Sequence, residues 1–161
     1  MHRLLTLSVL LAGLLAGPAL AGTSISANNL SLGSVSMQSS SAGATLSIDW
    51  LEVDGQRVQA LSCTMPKAPL LGAIVIGPAV GMGAQAAQAC LGSGGAAARV
   101  SWSWDGASTS GVTVTGPASS VGDCVGKAMA TMPAPLAATC TATLLLGERA
   151  AAEAAAGALA P

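Results

Sequence analysis

The stretch VSWSWDGASTSGVTVTGPASSVGDCVGKAM, residues 100–129, decides how this chain folds. Its first part alternates strictly, with Val100, Trp102 and Trp104 on one side and Ser101 and Ser103 on the other. Period-two alternation marks a half-buried strand. Asp105-Gly106 opens a turn, and Val112 and Val114 alternate again on the way back, so 98–104 and 111–116 read as paired strands. Pro117 ends the return strand. Beyond it Val121, Val125, Ala128 and Met132 fall at helical spacing, so 119–131 reads as a helix. Ser119 or Ser120 stands where a cap belongs, Asp123 lies in the first turn, and Pro133 and Pro135 stop the run. Strand, turn, strand and helix in one short run point to an α+β fold. The two tryptophans share a strand face, where large rings can cover a core poor in other bulky groups. Were that face open, Trp102 and Trp104 would instead be the chain's candidate interaction surface.

Working outward, ATLSIDWLEV (44–53) places Leu46, Ile48 and Trp50 on one face. Asp54-Gly55 follows, then QRVQALSCTM, so 44–53 and 56–64 read as a hairpin whose two turn residues tolerate positive φ. LAATCTATLLLG (136–147) reads as a last strand, over 137–146, buried on both faces near its end. LSLGSVSM (30–37) carries only a weak strand signal inside a Ser/Asn-rich segment, 22–43. From Ala68 to Ala98 there is no charge. Pro78 and several glycines interrupt this run, which predicts a buried segment ending in a helix near 79–91; a membrane-inserted segment over 68–91 is the alternative. GSGGAAA (92–98) reads as a flexible break. ERAAAEAAAGALAP (148–161) lacks large apolar residues and reads as a frayed helix or a disordered tail. The expectation is one domain over 44–147, a small antiparallel sheet with two helices.

The first residues, MHRLLTLSVLLAGLLAGPALAGTS, have a basic start, an apolar run and the small-residue triplet Ala19-Leu20-Ala21. That is the layout of a secretory signal peptide over 1–21, cleaved after Ala21. Only 8% of the 161 residues are charged and the formal net charge is −1, which excludes a basic nucleic-acid face. Serine, threonine, glycine and alanine must cover the surface instead.

Four cysteines, Cys63, Cys90, Cys124 and Cys140, form an even set in a chain expected to be exported, which reads as two disulfides. Four cysteines allow three pairings. A metal site is not expected, because there is no Cys-x-x-Cys pair and the single histidine, His2, leaves with the signal peptide. No catalytic residue is assigned: without histidine or tyrosine the commonest general bases are missing, and no Gly-x-Ser-x-Gly or Ser-x-x-Lys pattern occurs. Asp49, Glu52 and Asp54 gather at one hairpin end, where solvated acids are common. Cys124, at a helix start, is the one thiol whose pKa would be lowered, so a small thiol-redox protein or enzyme is the alternative to a binding module. Gly81-x-Gly83-x-x-Ala86, with Asp105 beyond, imitates a dinucleotide-binding fingerprint. The preceding antiparallel hairpin and the abundance of glycine stand against it, and no cofactor is expected.

From Cys90 the order is a helix-ending cysteine, strand, Asp-Gly turn, strand and a CVGKAM helix opened by a second cysteine. Over about residues 80–146 this resembles the cysteine-paired C-terminal domain of myxobacterial gliding-motility and related envelope proteins (the AgmX/PglI type), itself similar to the C-terminal domain of TonB energy transducers. Met132-Pro133 stands where that family commonly has Phe-Pro. The resemblance implies a periplasmic α+β module that contacts an envelope protein partner, with Cys90 bonded to Cys124. Cys63 and Cys140 would be an additional pair. It supplies no catalytic residue. The expected function is therefore a periplasmic or secreted, non-catalytic protein-interaction module of the cell envelope.

Overall fold

A computed structural model describes residues 29–67 and 72–159. The expected signal peptide lies outside them. Seven strands form one antiparallel sheet: β1 (Leu30–Leu32), β2 (Val35–Ser40), β3 (Gly43–Val53), β4 (Gln56–Met65), β5 (Gly95–Asp105), β6 (Thr109–Thr115) and β7 (Ala137–Gly147). The order across the sheet is β1-β3-β4-β7-β5-β6, with β2 also on the outer edge of β3. Helices α1 (Gly72–Gln88) and α2 (Ser119–Ala130) pack on one face, and α3 (Arg149–Ala158) packs on part of the other. The fold is α+β, with disulfides Cys63–Cys140 and Cys90–Cys124.

The β3–β4 hairpin turns at Asp54 (φ 48°) and Gly55 (φ 81°), the left-handed pair that an Asp-Gly step supplies. The end of β7 is buried on both faces: Leu144 and Leu146 enter the main core, and Leu145 lies under α3. Trp102 and Trp104 are 1% and 3% exposed and meet edge to face, with ring centroids 5.7 Å apart. That geometry suits the aromatic quadrupole. The pair is thus part of the core, as the alternation implies, and the alternative of an interaction surface at Trp102 and Trp104 is corrected: α2 and the Met132 segment close over the face that carries both rings.

Several expectations change. Trp50 does not share a face with Leu46 and Ile48. The buried positions of β3 run Leu46, Ile48, then Leu51 and Val53, and Trp50 is 41% exposed on the opposite face. The cause is a one-residue slip in the in–out pattern that crosses neighbouring strands. It passes through Gly33-Ser34, Asp49-Trp50 and Gln59-Ala60, and ends as a bulge where Ala60 and Leu61 oppose one residue of β7. Ala60 takes φ 49°, a left-handed conformation that costs a non-glycine residue about 1–2 kcal/mol. The indole of Trp50 lies across Gly33, where a Cβ would stand 2.4 Å from its Nε1. The weak signal at 30–37 becomes β1 and β2, so the sheet extends beyond the expected domain start.

The first helix begins at Gly72 and ends at Gln88, earlier at both ends than 79–91, and Cys90 lies in the turn after it. Pro78 sits inside this helix, and its missing N–H leaves the Ile74 carbonyl without its usual helical partner. No helix among the described residues is long and apolar enough to cross a membrane. Part of the expected break, from Gly95, is strand. The expected tail is a packed helix, with Ala152 fully buried against Ala97 and Leu145. Small side chains on both partners make that contact: a Cβ on Gly95 would stand 2.5 Å from the Ala152 nitrogen. The N-cap of α2 is Ala118 and makes no side-chain bond, so neither Ser119 nor Ser120 caps it, and Asp123 lies past the first turn.

Candidate functional site

The two disulfides do different jobs in positioning the surface. Cys63 and Cys140 face each other across β4 and β7, both fully buried. They stand in one inward row with Leu46 on β3 and Trp102 on β5. Cys90–Cys124 ties the turn after α1 to α2, at the half-buried edge of the core. No cysteine is free.

With α2 fixed by that bridge, a groove opens between it and β6. β6 is an edge strand: it pairs with β5, and no other described strand pairs with it. It carries no charge or proline, the usual guards of a sheet edge. Val112 and Val114 point toward α2 and are half-buried. Opposite them α2 presents Gly122 and Gly126, one turn apart. A Cβ built on Gly126 would rest 3.6 Å from Val114 Cγ2, and one on Gly122 would rest 3.9 Å from Cγ1. The missing side chains leave a cavity of about 580 Å³ floored by the two valines and Pro117, with Asp123 and Lys127 also lining it. Apolar floor, open backbone ladder and facing helix make a place where an added strand could lie. From sequence both elements read as core-forming, and the groove between them is not among the expectations. The signal was there in the uncharged edge and the Gly-x-x-x-Gly of α2.

The remaining sequence candidates resolve as structural parts. Gly81 and Gly83 are close-contact positions rather than a phosphate cradle. A Cβ on Gly81 would stand 2.5 Å from the Val53 Cβ, and one on Gly83 2.9 Å from Met129 Sδ. The first lets α1 down onto the sheet and the second lets α2 down onto α1. Glu52 accepts from Arg57 Nε at 3.0 Å and from Arg149 Nη2 at 3.3 Å, and Arg57 also pairs with Glu153. These ion pairs fasten α3 to the sheet. Asp105 belongs to the β5–β6 turn: its Oδ1 accepts from the Ala107 and Ser108 amides and its Oδ2 from the Ser108 hydroxyl. The Ser108 amide first, then the Ala107 amide and the Ser108 hydroxyl, hold its carboxyl below the usual carboxylate range. Among the described residues no three His, Cys, Asp or Glu side chains converge as a metal site would need.

Comparison with protein-family models, with curated proteins and with solved structures finds no match to this chain.

Proposed function

We propose that this protein is an exported, non-catalytic interaction module of the cell envelope, periplasmic or secreted, and that it takes an extended segment of an envelope protein along β6. The observation that carries the reading is the bare β6 edge beside the groove of Val112, Val114, Gly122 and Gly126. An edge strand offers backbone donors and acceptors that only another extended chain matches in register. The valine floor and glycine wall would receive every second side chain of that guest, which favours small or branched apolar residues. Two disulfides and a secretory-type N-terminus support an oxidising compartment. The resemblance of residues 80–146 to the cysteine-paired C-terminal domain of envelope gliding-motility proteins points the same way.

The test is selection of ten-residue peptides from a displayed library on the oxidised protein. Selected peptides should slow amide exchange in β6 and fail to bind Gly126→Gln. That substitution fills the groove and replaces a helix glycine, so the fold should gain stability rather than lose it. Peptides that bind Gly126→Gln as well as the parent, or no enrichment at all, would sink the proposal.

A further inference from the structure

The face of the sheet away from α1 and α2 carries an ordered array of hydroxyls. Each of β3, β4 and β5 contributes two hydroxyl residues at alternate positions and β7 contributes three, and the pairing register brings them into line. One row runs Ser36, Ser47, Ser62, Thr141, Ser101 and Thr113, one residue from each of six strands. A second row runs Thr45, Thr64, Thr139 and Ser103 beside it. Strand geometry sets hydroxyls about 4.8 Å apart along a row and the rows about 7 Å apart. Some are already in contact, Ser101 with Thr113 at 2.6 Å and Thr45 with Thr64 at 3.5 Å. Each hydroxyl has one donor and two acceptor sites, so capacity remains after these contacts.

Beside this array stands Trp50. It is the one tryptophan of the three whose ring is open to solvent, 41% exposed against 1% and 3% for the others. The slip through β3 and β4 turns it out of the core, and bulges of this kind recur where a side chain is re-aimed for function. Gln59 lies directly opposite on β4, with an amide that both donates and accepts. Ala60, held at positive φ, adds only a methyl group, and a cavity of about 310 Å³ opens among Trp50, Arg57, Gln59 and Ala60. The Arg57 guanidinium is engaged by Glu52 and Glu153, and the exposed Asp49 carboxylate also lines the cavity, an acceptor for sugar hydroxyls and a poor match for an anionic ligand.

We infer that this face binds a neutral polysaccharide, one pyranose stacking on Trp50 and its neighbours lying over the hydroxyl rows. A pyranose has an apolar C–H face and a rim of hydroxyls, and it needs a flat ring beneath it and donor–acceptor groups around it. A protein partner would call for a cluster of apolar anchors, and this face offers one ring among polar groups. A nucleic acid would call for a track of several free cations, and with Arg57 paired the face offers Arg99, one exposed guanidinium in the row of Gln59 and Thr143. The site is on the opposite side of the sheet from the β6–α2 groove and stands whether or not that groove takes a peptide.

Because Trp102 and Trp104 are buried, Trp50 reports binding directly. The probes are N-acetylglucosamine oligomers, a soluble β-glucan and an α-mannan, titrated onto the full protein with its disulfides intact. At least one should shift tryptophan emission to the blue and protect it from acrylamide. Titration calorimetry, which does not need the indole, reads the variants: Trp50→Ala should weaken that binding about tenfold or more, Trp50→Tyr should restore most of it, and Thr141→Val should weaken it with the fold unchanged by circular dichroism. Gly126→Gln should leave it untouched, which separates this site from the groove. No response to any of the three glycans, or binding that survives Trp50→Ala, would overturn the inference. So would library peptides that protect Trp50 in place of sugars.

Discussion

Trp102 and Trp104 stand two residues apart on β5, yet only one indole N–H has a partner. Trp104 Nε1 donates to Thr109 Oγ1 at 2.9 Å, and that hydroxyl donates to the Met132 carbonyl at 2.7 Å, which ties strand, hairpin and the end of α2 together. Trp102 Nε1 is buried without a partner among the described residues. A buried donor left unpaired costs about 1–3 kcal/mol, so removing it returns part of what the smaller ring loses. Trp104→Phe should therefore destabilise more than Trp102→Phe, by about 1 kcal/mol, and urea unfolding followed by circular dichroism measures the difference. Asp105 makes a second prediction at this scale. Hydrogen bonds from Ser108 and Ala107 favour its charged form, so its folded pKa lies below the unfolded one. Its contribution is present above the unfolded value and is lost as pH falls through the folded value. A carboxyl titration by NMR should find Asp105 below the ordinary range of about 3.9, and Asp105→Ala should remove acid sensitivity from the β5–β6 turn. An Asp105 that titrates at the ordinary value would show that the turn does not depend on its charge.

Helix α3 shows how an element can be held by small residues. Its contact with the sheet uses Ala152 over Ala97 and Leu145, and Gly95 passes beneath it with no room for a Cβ. Gly95→Ala would set a methyl 2.5 Å from the Ala152 nitrogen and 2.6 Å from the Glu148 oxygen, both backbone atoms that cannot swing aside. Overpacking of this kind costs about 1–3 kcal/mol. The expected result is a lower midpoint in urea together with faster proteolysis within 149–158; unchanged proteolysis would mean that α3 tolerates the shift. The same contact explains why 148–161 reads from sequence as a frayed helix or a disordered tail. Hydrophobic periodicity registers leucines and valines, whereas alanine on glycine leaves almost no pattern. By contrast β3, β4, β5, β6 and β7 were legible, because Val100, Trp102 and Trp104 alternate plainly and Asp54-Gly55 names its own turn. Trp50 was legible as a strand residue and misassigned to a face, since a one-residue slip is set by pairing with β2 and β4 rather than by β3 alone. The early start of α1 was hidden by Pro78, a residue that ordinarily argues for a boundary. The β6–α2 groove and the Trp50 face depend on what lies opposite Gly122, Gly126 and Gln59, which no local pattern records.

For the whole molecule, a core with no phenylalanine or tyrosine leans on its two bridges. Cys90–Cys124 closes a sequence separation of 34, which the chain-entropy model values at roughly 3.8 kcal/mol. Cys63–Cys140 closes 77, roughly 4.5 kcal/mol on the same model. Loop length alone thus separates them by less than 1 kcal/mol. Burial separates them further. Cys63 and Cys140 are both fully buried between Leu46 and Trp102, whereas Cys90 and Cys124 are half-buried at the end of α1 and on α2. A thiolate must reach a sulfur to exchange with it, so reduction should follow access rather than loop length. Under native conditions dithiothreitol should open Cys90–Cys124 first, leaving a folded species with α2 loosened and β6 amides exchanging faster. Cys63–Cys140 should yield only with global unfolding, and reduction of both should unfold the protein, since their combined contribution is comparable to the whole stability of a domain this size. Alkylation of samples taken through the reduction, followed by peptide mass spectrometry, gives the order. Simultaneous loss of both bridges would mean that no folded state survives without Cys90–Cys124. Prior loss of Cys63–Cys140 would mean that the sheet opens locally at β4 and β7, against the packing of Trp102 beside them.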